Sequence, residues 1–392
     1  MIDFVMKHIL REGEDVQDPQ VRERCGQLSG AVGIVLNLLL SVGKFFAGIA
    51  TSSIAVTADA FNNLSDAGSS VVTLVGFRLA GQRADDHHPF GHGRIEYLSG
   101  LLVSLIILLV GVELGKSSVE KILHPEPVDF SLVSVVILVA SICVKLWMYA
   151  FNRGLSRRIG SAAMAATATD SLSDSVATSA VLAGTLISHF AHVHIDGWIG
   201  ILVALFILRA GWGAAKDTLN PLLGQSPDPE LVKALRDTIL AHPQVVGIHD
   251  MVIHDYGPGR RMMSLHAEVP MDADIMEVHD AIDHIEREIQ RRYHIETSIH
   301  MDPIATDDEQ VIRMRAWTAE LVRSIHPSLT IHDFRMTQGP EHLNLIFDVV
   351  APHSLDMSDE ALRQAVCEAV QKGNPRCFAV IQVDRSYVEQ PS

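Results

Sequence analysis

The chain has 392 residues, 48% of them hydrophobic and only 20% charged, with a mean hydropathy of +0.21. That balance is too apolar for an ordinary soluble protein of this size and excludes a disordered chain. The net charge of −16 is uneven: residues 1–223 carry 19 acidic against 16 basic side chains, and residues 224–392 carry 28 against 15. Such an acidic half argues against nucleic acid as a partner and suits cations.

Met1–Gly30 is polar and charged and lacks a short apolar core with a small-residue cleavage site, so residues 1–28 read as a cytoplasmic arm rather than a signal peptide. Six apolar stretches of spanning length follow, at 29–50, 53–80, 96–117, 128–152, 160–189 and 195–217. They predict an all-α, six-helix membrane domain over 29–223. The second and fifth are rich in Ala, Ser and Thr, which permit close helix packing in lipid. Arg83 and Arg94 in the 2–3 loop, and Arg153, Arg157 and Arg158 in the 4–5 loop, place those loops and both termini in the cytoplasm of a multi-pass protein of the cell (inner) membrane. Lys145 and Arg209, inside apolar stretches, read as snorkelling or backbone-paired side chains.

After residue 224 the pattern becomes that of a soluble α+β domain. Glu230–His242 and Ile275–Arg292 have helical periodicity; Val245–Asp255, Arg260–Val269 and His294–Met301 alternate like strands. The order αββαβ is that of a small ferredoxin-like sheet. It recurs over Asp308–Ile325, Leu329–Thr337, Glu341–Val350, Asp359–Gln371 and Cys377–Asp384. Ile331-His332-Asp333 repeats Ile248-His249-Asp250, and Ile381–Asp384 echoes Ile299–Asp302. Residues 224–304 are therefore expected to form one module and residues 305–392 a degenerate second copy. Cys25, Cys143, Cys367 and Cys377 have no CxxC spacing, suggesting neither a disulfide framework nor a zinc ribbon.

The chemistry begins in spans 2 and 5. Asn62 and Asp66 stand four apart, as do Asp170 and Asp174, so each pair shares one helix face. Three carboxylates inside a membrane are costly unless a dication or bound protons neutralise them. Asp59, seven residues before Asp66, is an accessory ligand or equally a cap or packing residue.

Ala58-Asp59-Ala60-Phe61-Asn62-Asn63-Leu64-Ser65-Asp66, followed by Phe90-Gly91-His92-Gly93-Arg94-Ile95-Glu96, resembles the cation diffusion facilitator family over about residues 10–304. The resemblance implies a homodimeric exporter that moves a divalent metal out of the cytoplasm in exchange for protons, with Asn62, Asp66, Asp170 and Asp174 as the transport site. It also implies metal ligation by Asp85, His88 and His92 in the 2–3 loop. In the first soluble module His249 and His266 fall on hairpin strands, His300 and Asp302 on one face of the last strand, and His279 on a helix. The family places a two-metal site on these five at the dimer interface. In the second module His332 and Asp384 stand opposite His249 and Asp302, but Phe347 aligns with His266 and Gln382 with His300, so the copy is expected to have lost metal binding.

Zinc members of the family usually have a His among the four transport positions; here there is none. Oxygen ligands suit Mn2+, whereas Zn2+ gains from imidazole. The Asn-Asp plus Asp-Asp set looks like the manganese-exporting branch, so Mn2+ is the first expectation, as substrate and as regulator, with Zn2+, Fe2+ or Co2+ as alternatives. No prosthetic group is expected. A membrane-embedded metal-dependent hydrolase lacks a general-base motif, and a sensor with anchoring spans leaves the buried acids without a purpose.

Overall fold

The computed structural model describes residues 19–51, 54–124, 132–191, 196–305, 308–338 and 342–386. Residues 1–18 of the N-terminal arm therefore lie outside the described residues, as does the side chain of Asp59. Contacts divide the chain into a helical unit, residues 1–225 with 255–260, and an α/β unit, residues 226–254 with 261–392.

Pro19 opens the first helix, at the position where its missing N–H costs nothing. Among the described residues the helical unit has six long helices: α1 (Pro19–Thr51), α2 (Ile54–Ala80), α3 (Arg94–Leu123), α4 (Leu132–Ile159), α5 (Ala162–Ala191) and α6 (Asp196–Leu222). By length and composition α1, α3, α4 and α6 are apolar enough to cross a membrane. Their outward faces carry exposed Leu39, Phe46, Leu109, Val112, Leu202 and Leu205, an apolar surface that water would not tolerate at this extent. The polar helices α2 and α5 carry the acids. On α5, Thr167, Ser171, Ser175 and Ser179 each donate to the carbonyl four residues back, so their hydroxyls are satisfied within the helix and can be packed against neighbours. A side chain at Gly100 of α3 would meet the Ala163 Cα of α5 at 2.7 Å, which is how closely those two backbones approach.

The first helix starts well before residue 29, and the reason is a buried ion pair. Arg22, 3% exposed, donates to the Glu96 carboxylate at 2.7 Å and to the Ile159 carbonyl, while Ser161 donates to the same carboxylate at 2.6 Å. α1, α3 and the α4–α5 junction are thereby tied together around Glu96. Arg22 is thus a structural residue, not part of a solvated arm. Glu96→Ala leaves that guanidinium buried without its partner and should destabilise the unit by about 3–5 kcal/mol. The measurement is thermal unfolding in detergent; an unchanged midpoint would show that the pair carries no stability.

The α/β unit repeats one pattern. α7 (Pro229–Leu240), β1 (Gly247–Asp255), β2 (Arg261–Pro270), α8 (Ile275–Tyr293) and β3 (Ile295–Ile304) are followed by α9 (Glu309–Ile325), β4 (Thr330–Gln338), β5 (Leu343–Pro352), α10 (Asp359–Gly373) and β6 (Cys377–Ser386). Asp228, Asp274, Asp308 and Ser358 cap the four helices with side chains that accept from first-turn amides. The strand orders are β1-β2-β3 and β4-β5-β6. In the first sheet Met263, Leu265, Ala267, Ile295 and Ile299 pack on Val278, Ile282, Ile285 and Ile289 of α8. In the second, Leu345, Phe347 and Val349 pack on Leu362, Val366 and Val370 of α10.

Strand register corrects the alignment of the two copies. β2 pairs with β3 from Arg261↔Ile295, and β5 with β6 from Leu343↔Cys377, ten residues each. His266 lies across from His300 at the step where Asp348 lies across from Gln382. The counterpart of His266 is therefore Asp348, not Phe347. Phe347 and Leu265 are each 1% exposed core residues. A shift of one residue moves a side chain to the other face of a sheet, so the alignment by sequence alone exchanged a core position for a surface one.

Candidate metal centres

The α2–α5 acids converge on a cation supplied by the chain itself. Lys145 of α4 places its Nζ 2.7 Å from Asp66 Oδ2 and 2.6 Å from Asp174 Oδ2, with both the ammonium and Asp66 buried. Asp170, one turn before Asp174, shares the electrostatic surroundings of Asp66, Asp174 and Lys145. Lys145 is thus neither snorkelling nor backbone-paired. A second lysine, Lys44 of α1, is buried and donates to Asn63 Oδ1 at 3.3 Å. Asn62 lies a turn before Asp66 with its side chain exposed, and among the described residues it makes no hydrogen bond to the three acids. The sequence held a signal for Lys145: a charge in an apolar span must find a partner, and its partners are these acids.

In the loop between α2 and α3, Asp85, His88 and His92 each bring one ligand atom within 4.8 Å of the others. Asp85 accepts from the His87 and His88 amides at 2.9 and 2.7 Å, and these bonds, His88's foremost, hold its carboxyl below the usual range. His92 Nδ1 is buried with no hydrogen-bond partner.

In the first sheet Asp302 gathers three imidazoles. His249 Nε2 is 3.1 Å from Oδ2, His266 Nδ1 2.8 Å from Oδ2 and His300 Nε2 3.4 Å from Oδ1. Pleating puts His266, His300 and Asp302 on the face away from α8. His279 is exposed on α8, and among the described residues it does not join this group. Burial pulls the His249 imidazole down, but Asp250, Asp302 and Glu268 outweigh it and leave the group above its ordinary value.

The two repeats meet through strand side chains of both sheets and through α9 of the second repeat. The His249 and His332 rings stack with centroids 4.1 Å apart, and the buried Glu268 accepts from Arg315 at 3.1 Å. Burial and the neighbouring His249 hold His332 below its usual value. Burial, then Asp384, Asp333 and Asp250, push the Asp348 carboxyl up to about 6. Asp250 and Asp333 both adopt a left-handed backbone with φ 51°, a conformation that Asp tolerates better than most residues. The sequence reading did not connect Lys145 with the span acids and gave neither Asp250 nor Asp348 a part in a metal site.

Six long helices with buried acids, followed by an α/β domain bearing His/Asp clusters, define a membrane protein that handles divalent metal. Residues 31–223 match the cation efflux transmembrane domain and residues 227–304 the cytoplasmic domain of cation efflux proteins. The Cronobacter sakazakii cation-efflux pump FieF is 30% identical over 278 residues, 70% of this chain and 91% of that protein. The Bacillus subtilis manganese efflux system protein MneS is 28% identical over 280 residues, 71% and 96% respectively. An uncharacterized transporter of Methanocaldococcus jannaschii, MJ0449, is 29% identical over 272 residues, 69% and 96%. The chain belongs to the cation diffusion facilitator family and is a divalent cation efflux transporter, not an enzyme.

Proposed function

We infer that this transporter exports Mn2+ from the cytoplasm in exchange for protons, across an inner membrane that all six long helices span, with both termini cytoplasmic. The observation that carries this reading is the convergence of Asp66 and Asp174 on one buried ammonium, with Asp170 beside them and no sulfur or imidazole in the group. A point between two carboxylates that holds a monocation in the interior suits a hard dication better. Lys145 keeps the empty site neutralised, and metal entry displaces it. Asn62 joins the ligands by a rotation of α2, whose side chain at that position is free to turn inward. When the metal leaves, protons and the ammonium together replace its charge, which makes the return step less costly. The relation to a protein named for manganese efflux supports the choice of ion.

The cytoplasmic His249–His266–His300–Asp302 group is a different chemistry. Its three imidazoles suit Zn2+, Fe2+ or Co2+ as well as Mn2+, and a metal there acts as regulator rather than cargo. The exposed His279 is left for a homodimer, in which a second copy brings it to the opposite cluster. Asp85, His88 and His92 form a third site that receives metal on the cytoplasmic side.

Everted membrane vesicles offered Mn2+, Zn2+, Fe2+ and Co2+ in turn test the substrate. Mn2+ uptake should exceed the others and should rise with an imposed pH gradient. Uptake that prefers Zn2+ would overturn the choice of ion, and indifference to the gradient would overturn proton exchange.

A further inference from the structure

The second repeat was expected to have lost its metal site through the replacement of two histidines. The register changes that expectation, because Asp348 rather than Phe347 occupies the place of His266. His332, Asp348 and Asp384 each bring one ligand atom within 4.8 Å of the others, and His249, Asp250 and His332 do the same across the contact between the repeats. His332 is 5% exposed, yet neither of its ring nitrogens makes a hydrogen bond, and Asp384 Oδ2 is likewise buried and unbonded. Its Nε2 lies 3.3 Å from that Oδ2 and 3.5 Å from Asp250 Oδ1, close but out of hydrogen-bond alignment.

Each buried polar atom left unpaired costs about 1–3 kcal/mol. Something must compensate for two of them, His332 Nε2 and Asp384 Oδ2, which face one another beside the Asp250 carboxylate. Arg335, within electrostatic reach of Asp348, does not: its guanidinium is paired with Asp333, the counterpart of Asp250. Gln382, in place of His300, donates to Asp384 Oδ1 at 3.2 Å and leaves Oδ2 directed at His332.

We propose that the second repeat holds a divalent cation of its own through His332, Asp348 and Asp384, completed by Asp250 of the first repeat. The donors are one imidazole nitrogen and three carboxylates, a harder set than the three imidazoles and one carboxylate of the first repeat. Relative to the first site, the second therefore shifts preference away from Zn2+ and toward Mn2+. A bound ion also fastens the two sheets together beside the His249–His332 stack. The site is independent of which ion crosses the membrane.

The test counts metal on the full chain in detergent, with no gradient and no flux reading, so a failure of the transport reading leaves its outcome untouched. Asp66→Asn/Asp174→Asn serves as the background that removes the span site. In that background, equilibrium dialysis against Mn2+ alone should show one equivalent per chain fewer for His332→Gln/Asp384→Asn, and a separate dialysis against Zn2+ should show the ion of the first repeat retained. Asp348→His reproduces the first repeat's donor and keeps every ligand position filled, so it remains informative even if the double variant misfolds. It should retain the equivalent and bind Zn2+ about tenfold or more tightly than the parent, because an imidazole replaces a carboxylate. Either an unchanged Mn2+ count in the double variant or an unchanged Zn2+ affinity in Asp348→His overturns the proposal.

Discussion

Asp174→Asn should lower Mn2+ flux into everted vesicles by about 100-fold or more at metal concentrations below saturation. Asp174 is one of two carboxylates that grip the Lys145 ammonium, at 2.6 Å, and on the proposed reading it is a direct ligand of the travelling ion. At an effective dielectric near 20, two unit charges about 4 Å apart interact by roughly 4 kcal/mol. A dication feels each carboxylate at least that strongly, and about 1.4 kcal/mol is a factor of ten in affinity. The double charge of a dication raises the figure to about 8 kcal/mol, and discounting about two-thirds of it for relaxation and for the amide's remaining oxygen still leaves about two orders of magnitude. The fold should survive, because Asp66 keeps Lys145 paired at 2.7 Å and the core of Cys25, Phe77, Phe151 and Leu155 is untouched. Flux near that of the parent, with the protein present at normal level in the membrane, would remove Asp174 from the transport site.

Lys145→Met should act in the opposite direction on affinity. Methionine keeps the length and much of the volume of the lysine stem but removes the charge that competes with metal for Asp66 and Asp174. The same arithmetic predicts that the half-saturating Mn2+ concentration falls about tenfold or more. The maximal rate should fall as well. Without the ammonium, the emptied site retains uncompensated acids in the interior, so release and return are both slowed unless extra protons are taken up. The dependence of the rate on an imposed pH gradient should therefore become steeper. Lys145→Arg retains the charge but not the geometry of a single Nζ held between two oxygens, and it should not tighten binding. A half-saturation constant for Lys145→Met equal to that of the parent would show that the ammonium and the metal do not share a place.

Lys145 shows where reading the chain reached its limit. Its position in an apolar stretch was plain, and so was the cost of a charge there. Which acids it meets depends on how α4 packs beside α2 and α5, and no periodicity within one helix contains that information. Arg22 is similar. It counted as one more basic residue of a cytoplasmic arm, yet its partner Glu96 lies 74 positions away on α3. The loop triad was legible because Asp85, His88 and His92 are close in sequence, so one turn suffices to assemble them. The Asp302 cluster was legible for another reason. Alternation assigns His300 and Asp302 to one face of β3, and parallel pairing with β2 sets His266 directly across from His300. The second repeat was misread by a single position, since β5 places polar Asp348 between buried Phe347 and Val349 and only the ladder to β6 shows which of them faces the helices.

Composition and spacing by themselves determined that this chain enters a membrane, that two of its helices carry matched acids, and that its acidic end is one unit used twice. These follow from local rules: hydrophobic run length, helical and strand periods, and repetition of short words. The tertiary structure decided which charges neutralise one another and on which face of each sheet a donor stands. Those outcomes rest on packing between segments far apart in the chain, where the energy of a buried charge depends on its neighbours in space and not on its neighbours in sequence.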